Sequence, residues 1–455
     1  MSDVVTPFEF DHLVTSLAPL SLERAGQEAW AEQAGTVERL SVGAVLQSGS
    51  GETELVAQLL ADKDKVKVIV QHVIILETWR QCLLPKLLKL SAPQSSFPIY
   101  SVIFHEACCL SLLETAMFHI DVAQSLEDTG TDLLDYCVRN MTHLLYPIDD
   151  DVKNYADERD ETLKEVLEQV KELRENIGLR SVSILRYMTD HMSVLSLGVL
   201  SRLVTTHDTP GLVAATIQSR PWIRDIGGRE EVWRDGMWHH SQGNTAVEKM
   251  EFVAWLCLYN ILSCKEIMEK YELNDFRISV LTKLQGKLHD HLMDQLPMMA
   301  HLKKWLAQIS IAKPPAAKPT LIMELIPQIK ESVEKQFEGR WEELAEKQRD
   351  IFLGLETELM RRQAERISET FGMDTVEQLL AKAEAKTGTE DNCVVCGKEA
   401  KNRYKAETKI NVIIAMIMTG AQDARNRNTA ANLVSRVTGR LINQSAASGE
   451  TSTII

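Results

Sequence analysis

Apolar residues recur at three- and four-residue spacing along most of the chain. Between Val66 and Leu90 the stripe includes Val68, Ile69, Val73, Ile75, Leu76, Trp79, Leu83, Leu84, Leu87 and Leu88. That period places one face of a helix inside. Phe97-Pro98 opens another such run, because proline is tolerated in a first helical turn. It carries Ile103, Cys108, Leu110, Leu113, Ala116 and Met117. Similar helical text covers Leu133 to Leu145, Val182 to Val204, Val247 to Met268 and Phe276 to Leu296. Two-residue alternation is nearly absent, so little sheet is expected. Each stripe needs a neighbour, and burying one large aliphatic side chain is worth roughly 1.5–3 kcal/mol. Several per helix outweigh the poor stability of an isolated short helix. The fold class implied is all-α, an armadillo/HEAT-like helical solenoid, although no clean repeat period is visible.

Three polar interruptions punctuate the pattern. Asp149-Asp150-Asp151 opens an acidic stretch to Glu161, read as a solvated loop leading into a charged helix from Thr162. Pro221 to Gly243 holds Trp222, Trp233 and Trp238 around Asp235-Gly236, a hairpin-turn dipeptide, and predicts one short hairpin between helices. Lys313-Pro314-Pro315-Ala316-Ala317-Lys318-Pro319 reads as a stiff linker. A charged helical segment follows, with the stripe Ile329, Val333, Phe337, Trp341, Leu344, Phe352, Leu355 and Leu359, then a short helix at Thr375 to Lys386. The expected organisation is a body at 1–311, a linker at 312–319, a charged helical segment at 320–387, a partial zinc knuckle at 388–403 and a divergent tail at 404–455.

Composition narrows the classes. Of 455 residues, 44% are hydrophobic and 25% charged, which suits a soluble globular chain. A net charge of −15 argues against a general nucleic-acid binder, since phosphate contacts need clustered Lys and Arg. The start lacks the basic and apolar regions of a signal peptide, and no apolar run is expected to approach the roughly 18 residues needed to span a bilayer. Six of the eight cysteines sit in apolar helical text. They read as reduced thiols in a cytosolic compartment.

No complete catalytic constellation stands out. His105-Glu106-Ala107-Cys108-Cys109 has the opening of a metalloprotease helix, but position 109 is cysteine rather than histidine. His105 and Cys109 share a helical face, and the expected role is core packing. His239-His240 and His289-Asp290-His291 lack ligand spacing. Gly49-Ser50-Gly51-Glu52 lacks the Lys-Ser or Lys-Thr of a phosphate loop and fits a turn and helix N-cap before Leu55. The tryptophans suit either a peptide groove or hairpin and core packing, with packing the more frequent outcome.

The sharper signal is Cys393-Val394-Val395-Cys396-Gly397, the opening of a structural zinc site. Such a site takes four thiolate or imidazole ligands in a tetrahedron. No cysteine follows Cys396, and the last histidine is His301. The remaining ligands are borrowed, or the knuckle is vestigial, or the sequence is a truncated or alternatively spliced form.

Scattered words along the body carry a resemblance. They include Phe97-Pro98-Ile99-Tyr100, Leu112-Leu113-Glu114-Thr115, Asp135-Tyr136-Cys137, Leu185-Arg186-Tyr187, Leu200-Ser201-Arg202, Leu258-Tyr259-Asn260 and Asp294-Gln295-Leu296-Pro297. In this order and spacing the chain resembles the family of zinc finger MYND domain-containing protein 10, helical factors that assemble axonemal dynein arms. The likeness runs to about Arg403. That family ends in a MYND finger holding two zinc ions through interleaved Cys and His, and Cys393 and Cys396 match its first ligand pair. Tyr404 stands where the next ligand belongs, and beyond it the text is basic and unlike the family. Zinc is therefore the cofactor implied by the resemblance, with weak retention expected here and poor order expected from Gly388 apart from helices at 412–418 and 430–441. Thr453-Ile454-Ile455 fits the terminal pattern read by PDZ domains.

The resemblance implies no enzymatic activity. It implies a scaffold or co-chaperone for cytoplasmic preassembly of inner and outer dynein arms in motile cilia. Implied partners are a leucine-rich-repeat dynein assembly factor, chaperone and immunophilin machinery, and dynein chains as clients, with no nucleic acid and no integral membrane association. Implied locations are the cytoplasm, centrosome or centriolar satellites and the apical region of ciliated cells. The alternative is a transcriptional corepressor adaptor acting through the finger.

Overall fold

A computed structural model describes residues 6–50, 54–147, 160–234, 237–241, 247–311, 326–354 and 357–371. The linker at 312–319, the short helix expected at 375–386, the knuckle and the whole tail, with its expected order, helices and terminal motif, lie outside the described residues.

The fold is all-α with one small sheet. The first half comprises α1 (Pro7–Ser16), α2 (Glu28–Ser50), α3 (Leu55–Asp62), α4 (Val66–Thr78), α5 (Leu84–Leu90), α6 (Phe97–Ala116), α7 (Ile120–Gln124), α8 (Thr129–Leu145) and α9 (Glu161–Asp190). Then come α10 (Leu197–Arg202), α11 (Thr209–Ser219), strands β1 (Ile223–Ile226), β2 (Arg229–Arg234) and β3 (Met237–His240), and α12 (Lys249–Ser263). Beyond these lie α13 (Lys265–Met268), α14 (Asp275–Thr282), α15 (Asp290–Gln295), α16 (Met299–Ile311), α17 (Ile329–Gln336), α18 (Trp341–Leu353) and α19 (Glu358–Phe371).

Helix α6 is the axis of the core. All but Phe97 of its residues are buried, because α2, α4 and α9 pack around it. It is the one described helix long and apolar enough to cross a membrane, yet 94% of that stretch lies inside the protein. A helix apolar on every side needs burial on every side, and here other helices provide it. The sequence-based expectation that no run reaches this length is corrected by α6.

From α8 onward, helices stack on near neighbours: α8 on α9, α9 on α12, α12 on α11, α11 on α14 and α14 on α16. The segment beyond the linker does something different. Helices α17, α18 and α19 return to pack on α4, α5 and α2 respectively. The buried residues of this segment, Phe337 just after α17, Leu344 and Phe352 of α18 and Ile367 of α19, join the same hydrophobic core as the N-terminal helices.

Local sequence explains the element ends. Thr6 and Glu9 form a capping box at α1, with Pro7 in the first turn. Between α4 and α5 the helix widens into a π turn at Trp79–Leu83, where the Leu84 N–H donates to the Trp79 carbonyl. Pro85 follows and has no N–H for the usual bond to residue 81, so the helix widens there.

Several expected boundaries are corrected. The run Val182 to Val204 is broken: α9 ends at Asp190, and α10 restarts at Leu197 with the Ser196 side chain accepting the Val199 N–H. The run Phe276 to Leu296 divides into α14, a 3₁₀ turn and α15, whose N-cap is His289. Gly49 and Ser50 belong to the end of α2, and Glu54 caps α3 without a side-chain bond, so the Gly-Ser-Gly text is not that helix's N-cap. The single hairpin is a three-stranded antiparallel meander. Its first turn is Gly227-Gly228, both at positive φ (62° and 78°), a backbone that glycine adopts without a Cβ clash.

Candidate functional site

The two predicted zinc ligands, Cys393 and Cys396, lie outside the described residues. Within the described residues the chemistry-bearing side chains gather in the interior, around α4 and α6.

The first cluster sits beside the π turn. Arg80 makes a bidentate pair with Glu106 of α6 at 3.0 Å on both arms, and both side chains are buried. Tyr136 of α8 donates to Glu106 at 2.8 Å. Arg139 pairs with buried Glu77 at 2.6 Å, and Asn140 lies between the two pairs. Burial disfavours the Arg80 charge, but Glu106 more than offsets it and the guanidinium pKa is raised. A charge removed from water is retained where its hydrogen bonds are supplied in fixed geometry. The groups satisfy one another, leaving no free base aimed at an open cleft.

Two further pairs tie distant segments. Arg366 of α19 pairs with buried Glu38 of α2 at 3.1 and 3.2 Å. Arg366 passes close over Gly35, where a Cβ would sit 2.6 Å from its Nε. Burial raises the Glu38 pKa despite that partner. Asp135 of α8 receives Arg202 at 2.6 and 2.8 Å and His207 at 2.6 Å. Burial alone would raise the Asp135 pKa, but those hydrogen bonds and charges hold it down at about 2.

The second interior cluster joins His105 and Cys109, which the sequence placed on one face, to His72 of α4, which it did not. All three are fully buried, and their ligand-type atoms lie within 4.8 Å of one another. Cys109 Sγ is 3.8 Å from His105 Nε2. His72 Nε2 is 3.0 Å from the Ala18 carbonyl and 2.8 Å from the Gln33 amide nitrogen. The Nδ1 atoms of both histidines are buried without a hydrogen-bond partner. Trp30 of α2 closes the cluster edge-on to the His105 ring at 5.4 Å. Burial pushes the His72 pKa down to about 4 and lowers that of His105 as well, so both imidazoles are neutral.

Other sequence candidates fall apart. His289 caps α15 through its Nδ1, and His291 lies 3.2 Å from Gln295 on the exposed face. His240 is exposed at the edge of the meander. The tryptophans do not form a peptide groove: Trp222 and Trp233 are core residues, and Trp233 donates to Asn176 at 2.8 Å. Trp238 lies under the Arg224 guanidinium at 4.1 Å. The buried pairs were missed because each joins residues dozens of positions apart. Their only local signal is a charged residue inside apolar helical text.

Comparison with known proteins then decides the family. The chain is 30% identical over 432 residues to a Drosophila melanogaster protein described as "Zinc finger MYND domain-containing protein 10 homolog", covering 90% of this chain and 95% of that one. This chain belongs to the zinc finger MYND domain-containing protein 10 family. No protein-family model matches it, and no solved structure matches it. Membership brings zinc as the family's metal. Cys393 and Cys396 supply two thiolates, and residues 397–455 contain no further Cys or His. These two donors alone do not complete a four-ligand site.

Proposed function

We propose that this protein is a non-enzymatic scaffold or co-chaperone in the cytoplasmic preassembly of axonemal inner and outer dynein arms, required for motile cilia. The observation that carries this reading is membership of the zinc finger MYND domain-containing protein 10 family across 90% of the chain. The dynein role is the one implied by that resemblance. Two features of the chain support it. Its charged clusters are internally paired and buried, as in a structural core rather than a reaction centre. Its net charge of −15 suits a soluble partner-binding surface.

In this reading the helical body holds immature dynein chains. A leucine-rich-repeat assembly factor and the chaperone and immunophilin machinery are its partners, in the cytoplasm and at centriolar satellites. The test is removal of the protein from multiciliated cells, followed by electron microscopy of axoneme cross-sections. The expected result is loss of both outer and inner arms from intact microtubule doublets. Axonemes with both arms in place would overturn the proposal.

A further inference from the structure

Buried polar atoms in a folded protein almost always find partners, so an unpartnered one calls for a cause. Here an unpartnered imidazole nitrogen, His72 Nδ1, occurs within one three-residue cluster that also contains a second imidazole and a thiol. The residues come from two helices locked side by side, and none is exposed. We propose that His72, His105 and Cys109 form an internal binding site for a thiophilic d¹⁰ metal ion, copper(I) or zinc(II), separate from the Cys393–Cys396 knuckle.

Three observations support this. Metal–nitrogen and metal–sulfur bonds of roughly 2.0 and 2.3 Å put neighbouring N and S ligands about 3.5–3.8 Å apart, and Cys109 Sγ stands 3.8 Å from His105 Nε2. The other edges need side-chain adjustments on the order of an ångström. His72 Nε2 lies 3.0 Å from the Ala18 carbonyl and 2.8 Å from the Gln33 amide nitrogen, and in the tautomer that donates to Ala18 the Nδ1 lone pair is free to take a metal. A backbone carbonyl behind the ring is the usual support of a metal-ligating histidine. Finally, two imidazoles and one thiolate are ligands that soft and borderline ions prefer.

Charge favours copper(I). Binding forms the metal–sulfur bond as the Cys109 S–H proton leaves to solvent, and the ion takes that proton's place. Copper(I) with one thiolate is neutral overall, which a dry interior tolerates, whereas zinc(II) leaves one net positive charge. Three ligands also complete a trigonal copper(I) site, while zinc needs a fourth donor. Because the site is enclosed, the ion enters as the helices close during folding.

The test uses the full chain with Cys393→Ser and Cys396→Ser, which removes the knuckle. It is produced anaerobically with copper(I) or zinc(II) supplied in separate preparations. Elemental analysis should find about one equivalent of one of the two ions, and which one identifies the metal. Adding Cys109→Ala should lower the content about tenfold or more, with circular dichroism confirming the helical fold. If that variant does not fold, X-ray absorption of the loaded parent decides, with one sulfur and two nitrogen ligands expected. Metal content near zero in both preparations, retention of the metal in folded Cys109→Ala protein, or a ligand shell without sulfur would each overturn the proposal.

Discussion

Trp79 and Gln348 meet in the middle of the protein although 269 residues separate them in sequence. The indole Nε1 donates to Gln348 Oε1 at 3.3 Å, and both residues are buried. The Gln348 amide then donates to the Leu22 and Glu23 carbonyls at 3.2 Å. One side chain from α18 thus satisfies polar groups of the π turn and of the link before α2. The charged segment beyond the linker is thereby part of the core.

Gln348→Ala should therefore destabilise the whole fold. It leaves the buried Trp79 indole donor unpartnered, at about 1–3 kcal/mol for a buried group left unsatisfied, while the Leu22 and Glu23 carbonyls each lose one donor and keep another. Urea unfolding should show a lower midpoint, with far-UV circular dichroism unchanged before the transition. A wild-type midpoint would show that α18 is not integral to the fold.

Glu106→Ala should cost more, about 3–5 kcal/mol, because it leaves the Arg80 charge buried without its partner. Tyr136 also loses its acceptor. The readout is again the unfolding midpoint, compared with the double variant Arg80→Met/Glu106→Leu. That double variant removes both charges and should recover much of the loss. Equal instability of the single and double variants would contradict the ion-pair explanation.

Asp135 gives a pH dependence of known sign. Its folded pKa of about 2 lies below the usual carboxylate value near 3.8. The stabilisation is therefore present above the unfolded value and lost as pH falls from about 5 towards 2. A shift of that size corresponds to roughly 2–3 kcal/mol. Asp135→Asn should be less stable than wild type at pH 7 by about this amount. The two stability curves should converge as pH falls to about 2, and a constant offset across that range would count against the assignment.

Leu185→Pro should abolish soluble protein. Leu185 is fully buried inside α9, and proline there removes a backbone donor and clashes with the preceding turn. The cost is ~3 kcal/mol or more. Normal abundance of this variant in ciliating cells would contradict the helix assignment.

Helical periodicity made most of this fold legible. The stripes at Val66 to Leu90 and Phe97 to Met117 correspond to α4–α5 and α6, because an apolar face is a local property of the text. Breaks inside periodic text were harder. Apolar spacing continues across Asp190 to Ser196, so nothing but the Ser196 cap marks the restart of α10. Strand β1 was hidden because Ile223-Arg224-Asp225-Ile226 does not alternate, although the Gly227-Gly228 dipeptide behind it is a turn signal. The meeting of His72 with His105 and Cys109, and of Glu38 with Arg366, depends on which helices pack together. No short-range pattern encodes that.

The decisive measurement is affinity purification of the full chain from multiciliated cells while arms are being assembled, with quantitative mass spectrometry of the soluble fraction. Axonemal dynein chains, together with chaperones, should be enriched over a tag-only control. Enrichment of corepressor complexes instead, or no dynein chain above the control even after crosslinking, would contradict a role in dynein preassembly.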